Sequence, residues 1–188
     1  MVKSIEGSTK VPIASDTDDH CIDFVTGRTV ANTGAEANRQ RIERWLVEEK
    51  GYAKNDIEVD APIELAMETE TYRSNVDLVV KVAGRRCMVI KCAPGSLVSR
   101  EREVVAAARL LDVYQIPLAV ASDGQTAIVW DTVSGKQIGQ DLSAIPNRSQ
   151  AEALFSSLAT HPLDEARRTR QQIIFRSYDS MNVNRNRT

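Results

Sequence analysis

The sequence predicts an α/β protein with a mixed central sheet flanked by helices. Three features of its 188 residues carry this prediction: a charged helix at 34–51, two strands joined by a tight turn at 73–92, and a strand–helix–strand unit at 86–122. The tight turn joins antiparallel strands, whereas a strand–helix–strand unit joins parallel ones. The sheet should therefore contain both kinds of pairing, with its elements in the order α-β-β-β-α-β-β.

The helix at 34–51 is the clearest element. Ile42, Trp45 and Leu46 recur at helical spacing in GAEANRQRIERWLVEEKG, with charged residues between them. Gly51 follows the last turn and supplies the stop. We therefore expect an amphipathic helix immediately before the first long strand.

Three strands are expected next. The segments 57–66 (IEVDAPIELA) and 73–84 (RSNVDLVVKVAG) read as strands, with turn-like residues between them. Gly84 and Arg85 form the predicted hairpin turn, and RRCMVIKC is the return strand. These strands form the antiparallel part of the sheet.

A second helix follows in PGSLVSREREVVAAARLLDVY. Ser99 is its expected N-cap, because a serine hydroxyl can accept a hydrogen bond from a free backbone N–H. Its buried face is predicted from the apolar positions Val104, Val105, Ala108, Leu111 and Val113. The apolar run IPLAVAS then predicts a strand buried on both faces, and AIVWDT predicts one more strand.

The chain divides into three predicted parts: an N-terminal arm (1–33), a core (34–147) and a C-terminal helical extension (148–188). The arm is polar and irregular, with one short strand expected at CIDFV. The extension contains two predicted helices, SQAEALFSSLAT and DEARRTRQQIIFRSYDSM.

Composition excludes several classes of protein. The net charge of −2 means that nucleic-acid binding would need a local basic patch rather than a basic chain. Three cysteines without a CxxC pair argue against a disulfide framework or a zinc ribbon. The sequence has neither an apolar run of the ~18 residues that a membrane span needs nor an apolar signal core, so we expect a cytoplasmic protein.

The candidate chemistry lies on the predicted hairpin. Metal-dependent nucleases use carboxylates to hold Mg²⁺, and Asp77 on the first strand is the candidate metal ligand. Lys91 near the end of the return strand lies among apolar residues, where an unpaired lysine is costly, so Asp77 is its expected partner. The glutamate that such nucleases often carry two residues before the lysine is replaced by Val89. From the residues alone, a purely structural Asp–Lys pair remains an alternative.

A family resemblance follows from four segments: NRQRIERWLVEEKGY, DIEVD, YRSNVDLVVKVAGRRCMVIKCAPG and IPLAVASDGQTAIVWD. Over roughly 34–133 the chain resembles the N-terminal nuclease domain of type I restriction enzyme R subunits, in the PD-(D/E)xK superfamily. The resemblance implies a restriction-endonuclease-like αβββαβ core and Mg²⁺-dependent cleavage of DNA. It also implies DNA and restriction–modification subunits as partners.

The chain departs from the family at the motif itself. The family pattern is approximately R-x-D followed by a strand that ends E-C-K-A-P, and the second half here reads I-K-C-A-P. If Ala93 and Pro94 anchor the alignment, Ile90 takes the glutamate place and Cys92 the lysine place. If strand length from Asp77 is the anchor, Lys91 takes the glutamate place. If Lys91 is the catalytic lysine, Val89 takes that place.

A relocated carboxylate is physically allowed, since a metal depends on ligand position rather than chain order. Glu36 and Glu43 on the first helix are two candidates, and Glu103 is a third because the second helix starts beside Lys91. Each is also explained as an ordinary helix-face charge. Glu101 and Glu103 would in any case favour the positive end of their helix.

Candidate DNA contacts cluster in the loop after the hairpin. A phosphate could be held by backbone near Gly95 and by the helix N-terminus, with the resemblance adding an arginine before Asp77. The candidate residues are Arg73, Ser96, Ser99, Arg100 and Arg102. The last helix adds arginines for salt-sensitive backbone contacts, which are also explained as a solvated helix face: Arg167, Arg168, Arg170 and Arg176.

Two functions follow from the sequence. The first is a Mg²⁺-dependent DNA endonuclease, expected to be free-standing because no G-x-x-x-x-G-K-[ST] motor loop occurs in the 188 residues. The alternative is a catalytically inactive nuclease-fold module that binds DNA or a protein partner. Whether the chain forms a homo-oligomer is left open.

Overall fold

The computed structural model describes residues 19–68, 70–157 and 162–185. The strands are β1 (His20–Ile22), β2 (Thr29–Ala31), β3 (Ile57–Ala66), β4 (Thr71–Val82), β5 (Arg85–Cys92), β6 (Leu118–Ser122), β7 (Ala127–Asp131) and β8 (Gln137–Gln140). The helices are α1 (Gly34–Arg44), α2 (Glu101–Leu110), α3 (Arg148–Ser157) and α4 (Glu165–Arg185). The first 18 residues of the predicted arm lie outside the described part of the chain, which contains no helix long and apolar enough to cross a membrane.

The central sheet has six strands in the order β3-β4-β5-β6-β7-β8. Only β5 and β6 pair in parallel, and α2 lies between them in the chain; the other neighbours are antiparallel. This confirms the predicted mixed sheet and its αβββαβ core. Strand β1 overlaps the short strand expected at CIDFV, whereas β2, its pairing with β1 and strand β8 were not predicted.

Side-chain alternation divides the core between the two faces of the sheet. On β4 and β5, Val79 and Val89 pack towards α2 and Phe175 of α4. Their neighbours Leu78 and Ile90 pack instead with Ile42 of α1 and with α3. Every residue of β6 is buried, as expected for a strand covered on both faces.

The β4–β5 turn sets the register of the site. Ala83 and Gly84 have φ of 50° and 75°, the backbone twist of the tight turns that join hairpin strands. Arg85 therefore begins β5 and does not form the turn, which lies one residue earlier than predicted. In the resulting register Leu78 is paired with Ile90. Asp77 and Lys91, each one residue further from the turn, come to lie opposite each other.

Two predictions about the second helix were wrong. Ser99 is not the N-cap, because a 3₁₀ turn (Val98–Arg100) precedes α2 and the Ser99 hydroxyl donates to the Ser96 carbonyl at 2.7 Å. Val113 is 82% exposed, because α2 ends at Leu110 and the chain turns towards β6.

Candidate active site at the end of the central hairpin

The side chains of Asp77 and Lys91 meet across the β4–β5 pair. Lys91 Nζ lies 3.2 Å from Asp77 Oδ1, and Asp77 Oδ2 accepts the Cys92 backbone N–H at 2.6 Å. Both side chains are about four-fifths buried. The backbone bond fixes the aspartate, so its remaining oxygen is directed at the ammonium group.

Glu103 completes a line of three charges. The loop after β5 returns over the strand end, and the first turn of α2 places Glu103 Oε1 3.2 Å from Lys91 Nζ. Arg100 Nη1 lies 3.8 Å from the other oxygen, Glu103 Oε2. Glu103 is only 2% exposed, so a carboxylate at the protein interior shares Lys91 with Asp77.

The surroundings keep Lys91 charged. Burial lowers the pKa of Lys91, but the charges of Asp77 and Glu103 raise it further, to above its usual range. Burial raises the pKa of Glu103 and outweighs the opposing effect of Lys91 and Arg100, because Glu103 is more enclosed than either cation. Lys91 is therefore a fixed cation rather than a proton acceptor at neutral pH.

The structure distinguishes the three motif alignments by strand face. Lys91 shares its face with Asp77, whereas Ile90 and Cys92 point to the α1 side. Val89, two residues before Lys91 and on the same face, is completely buried in the apolar core under α2. Burial also raises the pKa of the Cys92 thiol well above its ordinary value. Cys92 is thus an enclosed neutral group and does not replace a lysine.

A cleft of about 640 Å³ opens beside these charges, between the N-terminal end of α1, the middle of β4 and the end of β5. Its polar lining contains three carboxylates and three cations: Glu36, Asp60, Asp77, Arg39, Lys91 and Arg100. The cleft therefore joins the Asp77–Lys91 pair to a second group of charges on α1.

Arg39 is the centre of that second group. Its guanidinium lies 3.1 Å from Asp23, 2.8 Å from Glu36, 3.6 Å from Glu43 and 2.8 Å from Asp60. Asp23 comes from the segment between β1 and β2, so this group ties the N-terminal hairpin to α1. One arginine thus faces four carboxylates.

Asp60 and Arg39 were missed by the sequence analysis. Asp60 has a φ of 52° and has no partner in the register between β3 and β4, where Val59 pairs with Leu78 and Ala61 with Val76. The register is the same on both sides of Asp60, so β3 is distorted locally at this residue without an inserted residue, and Asp60 lines the cleft. A single sequence carries no signal for such a distortion at this position.

The greater part of the chain matches a known protein family. Residues 34–146 match the family model described as type I restriction enzyme R protein N terminus. The chain belongs to this family. The match covers α1 through the turn before α3, and it confirms the resemblance inferred from the sequence.

One solved structure and the curated proteins complete the comparison. A fragment assigned as an HsdR subunit of a type I restriction enzyme from Vibrio vulnificus YJ016 matches with a TM-score of 0.50 and 15% identity, over 65% of this chain. At that identity it shows the fold alone. The chain spans about a quarter of the length of that chain (25%). Among curated proteins, none matches.

The structure separates the candidate relocated carboxylates of this R-protein N-terminal domain from one another. Of the three relocated carboxylates, Glu103 contacts Lys91, Glu36 lines the cleft beside Arg39, and Glu43 is completely buried behind it. The structure thus brings Asp77, Lys91 and Glu103 together.

The predicted DNA contacts are also dispersed. Arg100 lines the cleft, whereas Arg102 lines a different groove. Arg73 pairs with Glu64 at 2.9 Å on the exposed part of the β3–β4 ribbon. Ser96 and Ser99 are exposed on the loop before α2 and bond to each other. Their roles in binding DNA remain predictions.

Glu43 should make the stability of the domain depend on pH. Burial raises its pKa to about 7, with the charge of Asp23 adding to the effect, Arg39 opposing it and Glu36 adding a little. Below its unperturbed pKa of 4.5, Glu43 is protonated in both states. Between 4.5 and about 7, only the unfolded chain releases the proton, so the free energy of unfolding falls by about 3 kcal/mol as pH rises.

The measurement is urea unfolding of the wild type and Glu43→Gln at a series of pH values across that window. The difference between the two proteins cancels the titrations that they share. Between the acid and the alkaline end of the series, the free energy of unfolding of Glu43→Gln minus that of the wild type should increase by about 3 kcal/mol. Parallel pH profiles would show that Glu43 ionises normally in the folded protein.

Proposed function

We propose that this domain binds DNA in the cleft and hydrolyses a phosphodiester bond with Mg²⁺. The observation that carries the proposal is the convergence of Asp77 and Glu103 on Lys91, each with an oxygen 3.2 Å from the same Nζ. This supplies the relocated carboxylate that the degenerate motif requires. A type I R-protein N-terminal domain is a natural place for such a site, since the family is one of restriction enzymes.

The residues fit a magnesium ion by their donor chemistry. Mg²⁺ takes one or two protein carboxylates and completes its shell with water and phosphate oxygens, and Asp77 and Glu103 supply two carboxylates that lie beside the same lysine. The described residues contain no group of three or more histidine, cysteine or carboxylate side chains arranged for a metal. Bound there, the ion would polarise the phosphate and activate the attacking water.

The other residues would handle charge and position. Lys91 keeps its proton, so it would offset negative charge on the phosphate and orient the water rather than act as a base. Arg100 contacts Glu103 and lines the same cleft, where a planar guanidinium can hold phosphate oxygens in two directions. Any motor that moves DNA would come from another segment or subunit.

A second function is favoured by one specific observation. Three of the four oxygens of Asp77 and Glu103 lie within 3.2 Å of Lys91 or the Cys92 N–H, and the fourth faces Arg100 at 3.8 Å. Lys91 would then act as a permanent internal cation in place of a metal. In that case the domain is an inactive nuclease fold that binds DNA through its basic residues.

The two functions are separated by a cleavage assay. Supercoiled plasmid and single-stranded DNA would be incubated with the protein in Mg²⁺ and, separately, Mn²⁺. We expect Asp77→Asn and Glu103→Gln to cleave at least about a hundredfold more slowly, the size of effect that loss of one preorganised electrostatic contact has on kcat. Glu36→Gln is the matched control, because it makes the same kind of change at a carboxylate that lines the cleft but contacts Arg39.

A melting experiment with Mn²⁺ supplies the second measurement. Metal binding to the folded state raises the melting temperature, and Asp77→Asn should remove that rise. If the wild type neither cleaves nor shows a Mn²⁺-dependent shift, the inactive module is correct. Slower cleavage in Glu36→Gln but not in Glu103→Gln would instead place the second carboxylate ligand on α1.

A further inference from the structure

A groove lined by arginines runs between α2 and α4, apart from the cleft at Lys91. Its volume is about 570 Å³, and the turn after β7 closes one end with Val133 and Gly135. Four arginines line it: Arg102, Arg109, Arg167 and Arg170. Glu101 is the one acidic residue among the described residues of its lining. The groove is therefore strongly positive although the chain as a whole carries a charge of −2.

Part of this charge is neutralised within the domain, because Arg167 pairs with Asp164 at 3.2 Å, whereas Arg109 is held by neutral oxygens. Its Nε donates to the Thr132 carbonyl at 2.8 Å, and its Nη1 donates to Gln171 Oε1 at 3.3 Å. Burial lowers the pKa of Arg109, the positive charge of Arg167 lowers it further, and Asp131 opposes them. An anion placed between Arg109 and Arg167 would offset the repulsion between these two cations.

The spacing of the arginines fits an extended anion. Arg102 and Arg109 are seven residues apart on α2, which is about 10 Å along a helix axis. Arg102 contacts Tyr178 and Arg109 contacts Gln171, so α4 runs antiparallel to α2 along the groove. A nucleic-acid strand carries one phosphate per roughly 3.4 Å of helix axis, so the groove is long enough for several phosphates and too long for one.

We propose that this groove binds the phosphodiester backbone of a single nucleic-acid strand. Guanidinium groups suit this ligand because they bind phosphate oxygens in pairs. The cleft and the groove are lined by residues close in the chain, since Arg100 lines the cleft and Arg102 lines the groove. A strand held at Lys91 and running on over α2 towards Arg167 rests on the proposed function, but binding in the groove does not.

The test is fluorescence anisotropy with a labelled oligothymidylate of about 20 nucleotides, titrated between about 50 and 200 mM salt, where phosphate contacts change affinity steeply. We expect Arg167→Glu/Arg170→Glu to bind at least about tenfold more weakly and to lower the salt dependence by about 1.4 in log–log slope, since two single-strand contacts are lost. Arg28→Glu/Arg44→Glu is the control: it changes the net charge equally at exposed residues of the β1–β2 segment and α1, on the other side of the sheet.

The outcomes separate this inference from the proposed function. A control that binds as weakly as the groove variant would overturn the groove, because net charge alone would then explain the loss. A wild type that does not bind the oligonucleotide at low salt would also overturn it. A wild type that binds through the groove but never cleaves would leave the groove standing while the nuclease proposal fails. If the wild type cleaves DNA and the groove variant binds the oligonucleotide as tightly as the wild type, the groove inference fails while the nuclease proposal stands.

Discussion

Replacing Lys91 with methionine is expected to lower the free energy of unfolding by about 3–5 kcal/mol, the cost of removing one partner from a buried ion pair. Methionine keeps the length and apolar stem of lysine, so the change removes mainly the charge. Asp77 and Glu103 would then face each other without the cation that both contact at 3.2 Å. Urea unfolding at neutral pH measures the loss.

Two variants show whether the loss comes from the unpaired carboxylates. Lys91→Met/Glu103→Gln should recover a large part of the stability, because the more deeply buried charge is gone. Lys81→Met is the matched control: Lys81 pairs with Glu58 at 3.5 Å on a more exposed part of β4, and such pairs contribute at most about 1 kcal/mol. Equal losses in Lys81→Met and Lys91→Met would mean that the contacts of Lys91 with Asp77 and Glu103 stabilise the fold no more than an ordinary, more exposed ion pair does.

The architecture could be predicted because it follows from local patterns. Each helix or strand was predicted from a pattern within its own segment: side-chain alternation, the apolar run at 116–122, and the helical spacing of Ile42 and Leu46. The strand–helix–strand unit has one favoured handedness, which limits how these elements can be arranged. Asp77 could be predicted as the partner of Lys91 because a lysine among apolar residues needs a carboxylate, and Asp77 lies on the neighbouring strand. Glu103 was predicted as a neighbour of Lys91 because α2 begins where β5 ends.

The remainder of the site depends on contacts distant in sequence. Asp23 and Asp60 reach Arg39 from 16 and 21 residues away, one from the N-terminal hairpin and one from the residue of β3 that has a positive φ. Neither a hairpin docking on a helix nor a single unpaired strand residue leaves a periodic pattern. The Ser99 cap and the burial of Val113 were wrong for a related reason: helix propensity does not state where tertiary packing ends a helix.

Replacing Arg39 with methionine should be at least as costly as replacing Lys91, because four carboxylates lose their common cation. Glu43 and Asp23 are buried, and Glu43 already has a pKa raised to about 7 by burial and by the charge of Asp23. We expect a loss of about 3–5 kcal/mol or more at a pH above 7, where all four groups tend to ionise. Urea unfolding measures it.

The pH dependence of that loss is its sharpest test. As pH falls, Glu43 can take up a proton and the repulsion within the group weakens, so the cost of Arg39→Met should shrink by more than 1 kcal/mol between about pH 8 and pH 5. Arg39→Lys should recover little, since an ammonium group cannot reach several carboxylates in the fixed directions of a guanidinium. A loss independent of pH, fully restored by lysine, would contradict the view that Arg39 holds the hairpin to α1 by pairing with these carboxylates.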